Sequence, residues 1–302
     1  MKWGVALNVR NKVSETLRKA EVADKGAIDQ IWVTDFPTVR YAPAIAAAIA
    51  ERTKKCRIGV GLISPLLYPS TQICQFMSTL IDSYGDRFDL LIGPGDRNAL
   101  ARVGISYSTT QMFENTTSAL VAIKSTLLEE GYRCSVLLGA QGPAMIKASL
   151  SADGVLLNFS DIEMLQWALD QMNHVPAKFK LGLFSPTYIG SCKDFMNNQG
   201  IALSAAMVAI GLNSKVSEIF GFRDKIDTAR RLLEKRGRID MEVANAMGEE
   251  VLKRFVLCMA DNKLRKYLKD IEGMGISLVV FGPPQGIRER GVDHLVEAKL
   301  HV

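Results

Sequence analysis

Phe88-Asp89-Leu90-Leu91-Ile92-Gly93-Pro94-Gly95-Asp96 decides the fold, because a short apolar run ends there in a glycine-rich turn. The run Phe88 to Ile92 has the length and composition of a strand that is buried on both faces of a parallel sheet. The two glycines after it carry no Cβ, so a ligand or a neighbouring backbone can approach closely. In parallel α/β folds such turns lie at the carboxyl ends of the strands, where ligands bind. Taken alone, the stretch is equally compatible with an ordinary tight turn.

The same unit, a short apolar strand followed by a helical stretch, repeats along the chain. Eight strands are predicted, at Trp3–Asn8, Ile31–Thr34, Arg57–Gly61, Phe88–Gly93, Ser135–Gly139, Gly154–Asn158, Phe179–Phe184 and Ile276–Phe281. Helical segments are predicted between them at Ser14–Lys25, Ala42–Ala50, Thr71–Tyr84, Gln111–Glu130, Ala144–Ser151, Asp161–Met172 and, after the last strand, Ile287–Ala298. Strands that alternate with helices imply right-handed crossovers and a parallel sheet.

Eight strand–helix units predict a closed (β/α)8 TIM barrel, which we expect to form one domain over residues 1–302. The alternative is an open doubly wound sheet that binds a dinucleotide. That fold would place a Gly-x-Gly-x-x-Gly motif directly after the first strand. Asn8-Val9-Arg10-Asn11 contains no glycine, so we favour the barrel.

One connection departs from this regular pattern. From Ser185 to Gly275, between the seventh and eighth predicted strands, the sequence is almost wholly helical in pattern. Five helices are predicted there, at Gly200–Ile210, Lys215–Phe220, Arg223–Arg236, Met241–Leu257 and Asn262–Glu272. We expect this insertion to cover the mouth of the barrel or to form a contact between subunits.

Composition argues against several classes of function. The 302 residues are 48% hydrophobic, and the net charge of +5 comes from basic residues that are interleaved with acidic ones. The most basic stretch, Arg223 to Arg238, contains Asp224, Asp227 and Glu234, which predicts a solvated helix face rather than a surface that binds nucleic acid. No apolar run is long enough to span a bilayer, and the N-terminus begins with a strand pattern rather than a signal peptide. We therefore expect neither a nucleic acid nor a membrane as partner.

The cysteine and histidine contents argue against further kinds of site. Five cysteines without a Cys-x-x-Cys spacing argue against a disulfide framework and a zinc site, and favour the reducing cytoplasm. Of the three histidines, His174 precedes a predicted strand, and His294 and His301 fall on the last predicted helix. Because no histidine follows a strand, we predict neither a Ser-His-Asp triad nor a histidine general base, and no metal site.

The residues that follow the predicted strands form the candidate site. Asp35, after the second strand, and Asp96, after the fourth, are the carboxylates expected at the mouth, and we predict catalytic roles for both. Asn8 and Asn158 end the first and sixth strands, and the other strand ends supply mainly glycine, proline and hydroxyl groups. A mouth with so few proton-transfer groups suits a reaction in which a bound cofactor carries the chemistry.

A second glycine turn, Gly139-Ala140-Gln141-Gly142-Pro143, follows the fifth strand. Proline is well suited to the first turn of the helix that comes next. The N-terminus of that helix would direct free N–H groups and the positive end of its dipole toward the mouth. We predict that this turn binds a phosphate group of a cofactor.

Six segments, in order along the whole chain, resemble the bacterial luciferase-like superfamily. They are Ile31–Asp35, Arg57–Pro65, Asp86–Asp96, Gly139–Pro143, Ala152–Asn158 and Val280–Pro284. The Gly-Pro-Gly-Asp and Gly-x-x-Gly-Pro turns are most similar to those of the branch that uses the deazaflavin coenzyme F420. Within that branch, the likeness is greatest to the methylenetetrahydromethanopterin reductases.

The resemblance implies a barrel that binds coenzyme F420, or alternatively FMN, and transfers a hydride between it and a small, pterin-like substrate. It also implies a homodimer or a higher homo-oligomer. Family members often carry a non-prolyl cis peptide just after the third strand, and Ile63-Ser64 is the matching position. The expected cofactor contacts are Asn8, Asp35, Ile63, Ser64, Gly93, Gly95, Gly139, Ala140, Gln141, Gly142, Pro143 and Asn158.

Three positions depart from the pattern of the family. Ala6 lies near the end of the first strand, where such reductases usually carry an acid, and Phe36 follows Asp35 where many relatives carry histidine. Leu66-Leu67-Tyr68-Pro69 occupies a loop in which relatives often carry arginine. Two alternatives to an F420-dependent oxidoreductase therefore stay open. One is an FMN-dependent monooxygenase of the same fold. The other is a barrel that binds a cofactor without turnover, or that serves only as a subunit of an assembly.

Overall fold

A computed structural model describes residues 1–7, 10–26 and 28–301 of the chain. The strands are β1 (Lys2–Leu7), β2 (Gln30–Val33), β3 (Arg57–Ile63), β4 (Phe88–Ile92), β5 (Ser135–Ala140), β6 (Gly154–Leu157), β7 (Lys180–Ile189), β8 (Leu257–Met259) and β9 (Leu278–Gly282). The helices are α1 (Val13–Lys25), α2 (Ala42–Arg52), α3 (Ser70–Tyr84), α4 (Arg97–Ala101), α5 (Thr109–Glu129), α6 (Pro143–Ala148), α7 (Ile162–Asp170), α8 (Gln199–Ala209), α9 (Ser214–Ile219), α10 (Arg223–Arg236), α11 (Met241–Lys253), α12 (Asp261–Gly273) and α13 (Glu289–Leu300).

Eight of these strands close into a parallel barrel, which confirms the predicted fold class. Strands β1 to β7 pair in sequence order, β7 pairs with β9, and β9 pairs with β1. Seven of the predicted strands match the barrel strands to within two residues at each end, and β7 continues five residues beyond its predicted end at Phe184. None of the helices in the described part of the chain is long and apolar enough to cross a membrane.

The hydrophobic core has an outer and an inner part. The outer part lies between the barrel and the apolar faces of the helices around it. The inner part fills the barrel with Ala6, Trp32, Leu91, Leu137, Leu156, Leu278 and Val280. Trp32 needs a neighbour without a side chain, because a Cβ at Gly59 on the adjacent strand would lie 2.2 Å from its ring. Since the interior is packed with side chains, the space for a ligand lies at the strand ends.

The amino end of the barrel, which we call the base, holds a buried carboxylate. Asp89 is 1% exposed and accepts hydrogen bonds from Arg57 Nε and Nη2, both at 3.0 Å. Lys180 Nζ donates to the same carboxylate at 3.1 Å, and Gln30 Nε2 donates at 3.3 Å. These residues come from the first two positions of four different strands, so the network joins the strands at the base.

The helical insertion between the seventh and eighth barrel strands is present as predicted, but it also contains a strand. Strand β8 runs parallel to the end of β7, with residues 257–259 beside 187–189. The helix predicted over Met241–Leu257 therefore ends at Lys253, and Gly248, with φ 78° and ψ 157°, interrupts it.

A disulfide bond cross-links two segments of this insertion. Cys192 follows β7, Cys258 lies in β8, and their Cα atoms are 5.9 Å apart. The expectation that the cysteines would not be disulfide-bonded is wrong for this pair. The two residues are 66 positions apart in sequence, and it is the pairing of β7 with β8 that brings them together. Cys56, Cys74 and Cys134 are free.

Candidate active site at the barrel mouth

The carboxyl end of the barrel, which we call the mouth, has the side chain of Leu62 at its centre. Leu62 is partly exposed and packs against the inner core. A Cβ at Gly93 would lie 2.3 Å from its Cδ1 atom, and a Cβ at Gly139 would lie 2.7 Å from it. The free faces of these two glycines are therefore taken by Leu62. Their contact with a cofactor stays a prediction.

Leu62 follows a non-prolyl cis peptide bond, Gly61–Leu62. The bond was expected at Ile63-Ser64, so the structure places it earlier, within β3 rather than after it. The register between β3 and β4 shifts in the same segment, between Val60 and Ile63. The Ile63 side chain is fully buried in the outer core. A cofactor contact by Ile63 would therefore have to use its backbone.

The turn Gly93-Pro94-Gly95-Asp96 is held by its own neighbours. Ser64 Oγ donates a hydrogen bond of 2.9 Å to the Pro94 carbonyl oxygen. Gly95 has φ 81° and packs on Ser64, since a Cβ there would lie 3.1 Å from the Ser64 Cβ. Asp96 is exposed, and its Oδ1 accepts a hydrogen bond of 2.6 Å from the Ala99 N–H as the N-cap of α4. The structure thus gives Asp96 a capping role, and its catalytic role stays a prediction.

Asp35 is half-buried after β2, and the hydrogen-bond donors that its carboxyl group meets among the described residues are neutral. Oδ2 accepts a hydrogen bond of 3.1 Å from the Tyr68 hydroxyl, and Oδ1 accepts one of 3.4 Å from the Ala42 N–H. Burial raises the pKa of Asp35 above its ordinary value, and these two hydrogen bonds oppose that rise only in part. Asp35 is therefore the group at the mouth best placed to hold a proton.

Aromatic rings lie on one side of this carboxyl group. The rings of Tyr41 and Tyr68 are 5.8 Å apart, and those of Tyr41 and Phe76 are 6.4 Å apart. Burial raises the pKa of Tyr68, and the nearby charge of Asp35 raises it further. The Tyr68 phenol consequently keeps its proton and acts as a permanent hydrogen-bond donor.

The insertion covers the second glycine turn. Gln141 Nε2 donates to the Val208 carbonyl oxygen at 3.2 Å, and a Cβ at Gly142 would lie 3.2 Å from the Asn213 Cβ. Pro143 occupies the first turn of α6, as predicted, and Ala140 is buried. The insertion therefore packs on this side of the mouth. Phosphate binding by residues 139–143 stays a prediction.

The two asparagines predicted at the mouth differ in what the structure says of them. Asn158 is half-exposed, and its side chain makes no hydrogen bond with the described residues. Asn8 lies outside the described residues. Phe184, which the sequence did not single out, is partly exposed against the inner core near the mouth.

A buried lysine supports the loop after the last barrel strand. Lys19 of α1 is fully buried, and its Nζ donates to the Gly286 and Ile287 carbonyl oxygens at 3.0 and 2.8 Å. Gln285 Oε1 accepts a hydrogen bond from the Ile189 N–H at 3.0 Å, and its Nε2 donates to the Gly291 carbonyl oxygen at 2.8 Å. These contacts tie the loop to α1 and β7. Sequence reasoning missed Lys19, because a lysine on a helix is most often solvated.

Comparisons with known proteins agree with this architecture. A family model described as luciferase-like monooxygenase matches residues 1–278. The chain is 22% identical over 315 residues to the 5,10-methylenetetrahydromethanopterin reductase of Methanolobus tindarius, covering 95% of each chain. It is also 22% identical over 314 residues to the enzyme of the same name from Archaeoglobus fulgidus, covering 95% of this chain and 94% of the other. Among solved structures, the coenzyme F420 dependent tetrahydromethanopterin reductase from Methanopyrus kandleri shares the fold, with a TM-score of 0.77 and 18% identity over 98% of this chain and 97% of that one.

Proposed function

Because the chain belongs to the luciferase-like monooxygenase family, we propose that it is an oxidoreductase that uses coenzyme F420 to transfer a hydride to or from a small, pterin-like substrate. The observation that carries the proposal is a mouth that combines the partly exposed apolar side chain of Leu62 with one half-buried carboxyl group, Asp35, which accepts hydrogen bonds from a phenol and a backbone N–H. Full-length similarity to two methylenetetrahydromethanopterin reductases supports the substrate class. The choice of coenzyme is supported by the fold shared with a reductase that is named as coenzyme F420 dependent.

The residues at the mouth fit a flavin-like ring. Leu62 and Phe184 offer partly exposed apolar surface on which a flat aromatic ring can pack. Asn158 offers an amide that makes no hydrogen bond with the described residues, and such an amide can bond to the polar edge of the ring. When bound, the coenzyme would supply the hydride chemistry.

The chain itself would supply positioning and proton handling. We assign the proton to Asp35, whose carboxyl group is desolvated. We assign the phosphate of the coenzyme to residues 139–143, where the backbone turns into α6. Leu62 would keep water away from one face of the ring.

Oligomeric state belongs to the same proposal. We propose a homodimer or a higher homo-oligomer, as in the family that the sequence resembles. Analytical ultracentrifugation of the purified protein measures the oligomeric state directly, and a monomer at micromolar concentration would contradict this part of the proposal.

Coenzyme binding is the decisive test. Purified protein is titrated with coenzyme F420 while the quenching of the coenzyme fluorescence is followed, and a parallel titration uses FMN. We expect saturable quenching by F420 in the micromolar range and weaker binding of FMN. Tight binding of FMN without binding of F420 would favour a monooxygenase of the same fold. Binding of neither would leave a barrel without this activity.

A pair of glycine variants shows whether the ligand lies on Leu62. Gly93→Ala places a methyl group 2.3 Å from Leu62 Cδ1, so Leu62 must shift, and we expect F420 affinity to fall roughly tenfold. Gly273→Ala is the matched control, because a Cβ there meets nothing within 4 Å. Equal affinity in the two variants would contradict the placement of the ring on Leu62.

A further inference from the structure

We propose that Tyr68 is a positioning residue that holds Asp35 as the proton-donating acid of the mouth, a role that rests on the proposed oxidoreductase function. Sequence reasoning had noted Asp35, but it had no reason to connect it with a tyrosine 33 positions further along the chain. The juxtaposition comes from the barrel, in which the loops that follow the neighbouring strands β2 and β3 lie side by side.

The Tyr68 hydroxyl is held in place before any ligand binds. The backbone N–H groups of Leu67 and Tyr68 both donate to the Ser64 carbonyl oxygen at 3.0 Å. This turn leads into α3, which begins at Ser70. The ring packs beside that of Tyr41 at 5.8 Å. A phenol fixed in this way reaches Asp35 Oδ2 at 3.1 Å without the loss of side-chain entropy that a free surface tyrosine would suffer.

Among the residues that the structure describes, no cation is bonded to Asp35. From the loop before α3 it meets the neutral Tyr68, and from the start of α2 it meets Tyr41 and the Ala42 N–H. Two arginines occur in the neighbouring loops, and each has another partner. The Arg10 guanidinium lies 5.1 Å from the centre of the Phe36 ring, and Arg40 donates to the Asn11 carbonyl oxygen.

This arrangement decides what Tyr68 can do. Burial raises the pKa of Asp35, while the hydrogen bond from Tyr68 favours the carboxylate and lowers that pKa. Tyr68 therefore eases the departure of a proton from a carboxyl group that would otherwise retain it. A cation at the same place would hold Asp35 ionised and unable to act as an acid.

The step is a simple proton transfer. Protonated Asp35, with Tyr68 donating to Oδ2, carries its proton on Oδ1. The O–H bond breaks, a basic atom of the substrate binds the proton, and Asp35 becomes a carboxylate. Tyr68 and the Ala42 N–H stabilise that carboxylate, and solvent returns the proton after the product leaves. Tyr68 keeps its own proton throughout, so it positions Asp35 and is not itself the acid.

The test measures the Asp35 carboxyl group directly, in protein without added coenzyme. Carbon-13 NMR of aspartate-labelled protein gives the titration curve of Asp35 in the wild type and in three variants. Tyr68→Phe removes the donor, and we expect the titration of Asp35 to move to higher pH. Tyr68→Arg introduces a cation, and we expect it to move to lower pH. Tyr41→Phe keeps the donor and is expected to leave the curve close to that of the wild type.

If the titration curve of Asp35 shifts in opposite directions in the two Tyr68 variants, Tyr68 acts on Asp35 through charge and hydrogen bonding. A merely structural role would not produce opposite shifts. Shifts of the same sign, or a Tyr41→Phe shift as large as that of Tyr68→Phe, would overturn the proposal. If one Tyr68 variant does not fold, as judged by circular dichroism, the direction of the shift in the other still decides.

Kinetics then connect the pair to turnover. In assays with F420 and substrate, the pH dependence of kcat/KM is expected to follow the NMR titration of Asp35 in each variant. The Asp35→Asn variant should lose roughly 100-fold or more in kcat. NMR shifts as expected with no F420 binding in any variant would mean that the proposed function fails while the Tyr68–Asp35 contact stands. If the protein turns over F420 and the pH dependence of kcat/KM is unshifted in Tyr68→Phe, the proposed function stands while the role of Tyr68 fails.

Discussion

Asp89 at the base and Asp35 at the mouth are two desolvated carboxyl groups at opposite ends of one barrel, and their partners differ. Asp89 is bonded by two cations, Arg57 and Lys180, and by the Gln30 amide. Within the described part of the chain, Asp35 accepts its hydrogen bonds from a phenol and a backbone N–H. The charge of the first is neutralised, and the charge of the second is not.

This difference in partners indicates that one carboxyl group serves stability and the other serves function. A buried carboxylate with two cations and an amide satisfies its hydrogen-bonding needs and joins four strands, which is the ordinary role of the amino end of a barrel. A desolvated carboxyl group without a counter-ion costs folding free energy, and proteins retain such groups mainly where they act on a ligand. We therefore propose that the chemistry takes place at the mouth.

The insertion packs on one side of the mouth, and the disulfide within this insertion should give the largest effect on stability. Cys192 and Cys258 are 66 residues apart, and for a loop of that size the chain-entropy model predicts a stabilisation of about 4 kcal/mol. We expect the Cys192→Ser variant to lose about this much free energy of unfolding, measured by urea denaturation.

The control for this variant uses a free cysteine. Cys134 is half-buried and unpaired, so Cys134→Ser should change the free energy of unfolding far less. Dithiothreitol should lower the stability of the wild type and of Cys134→Ser, but not that of Cys192→Ser. Equal stability of the wild type with and without the reductant would show that the cross-link does not hold the insertion.

The second prediction concerns the ion pairs of Asp89 at the base. Asp89→Asn keeps the shape of the side chain but leaves Arg57 and Lys180 without their anion. We expect a loss of about 3 kcal/mol in the free energy of unfolding, at the lower end for a broken buried pair because both cations remain about a third exposed. F420 binding by the folded variant should stay unchanged. A variant as stable as the wild type, or one that folds normally but no longer binds the coenzyme, would remove the distinction between base and mouth.

The sequence predicted the barrel well, because its signals are local. Each strand is a short apolar run and each barrel helix an amphipathic stretch, and both patterns can be recognised within a window of a dozen residues. Strand β8 was missed for the same reason. It is three residues long and follows an apolar run, Phe255-Val256, that continues the helical pattern before it. The Cys192–Cys258 pair depends on that strand and could not be predicted without it.

For the mouth, the sequence predicted the residues but not which residues they contact in space. Asp35 was identified because it follows a strand, and Gly93 and Gly139 because they open turns. Their contacts are set by which loops the closed barrel brings together. Tyr68 reaches Asp35, and Leu62 fills the space beside both glycines. Such contacts between strands are not encoded in any local pattern, so the predicted positions were informative while their roles were only partly so.

The last prediction concerns the sign of a small effect, the stability of Asp35→Asn as a function of pH. Burial raises the pKa of Asp35 in the folded chain above its ordinary value of 3.8. As pH rises through this window, the unfolded chain loses the proton first, so the folded state loses stability relative to it, and the loss is complete above the folded pKa. The neutral asparagine does not titrate and escapes this loss.

We therefore expect Asp35→Asn to be more stable than the wild type at neutral pH, with a difference that shrinks as the pH falls below the ordinary value of an aspartate. The gain should be smaller than the loss caused by Asp89→Asn, because Asp35 remains partly exposed and its charge is partly screened by solvent. Thermal unfolding of both variants between pH 3 and 8 would measure this. If both variants were less stable than the wild type at neutral pH, both carboxyl groups would serve stability, and this would contradict the comparison. Opposite signs would locate the unneutralised charge at the mouth, where a ligand can use it.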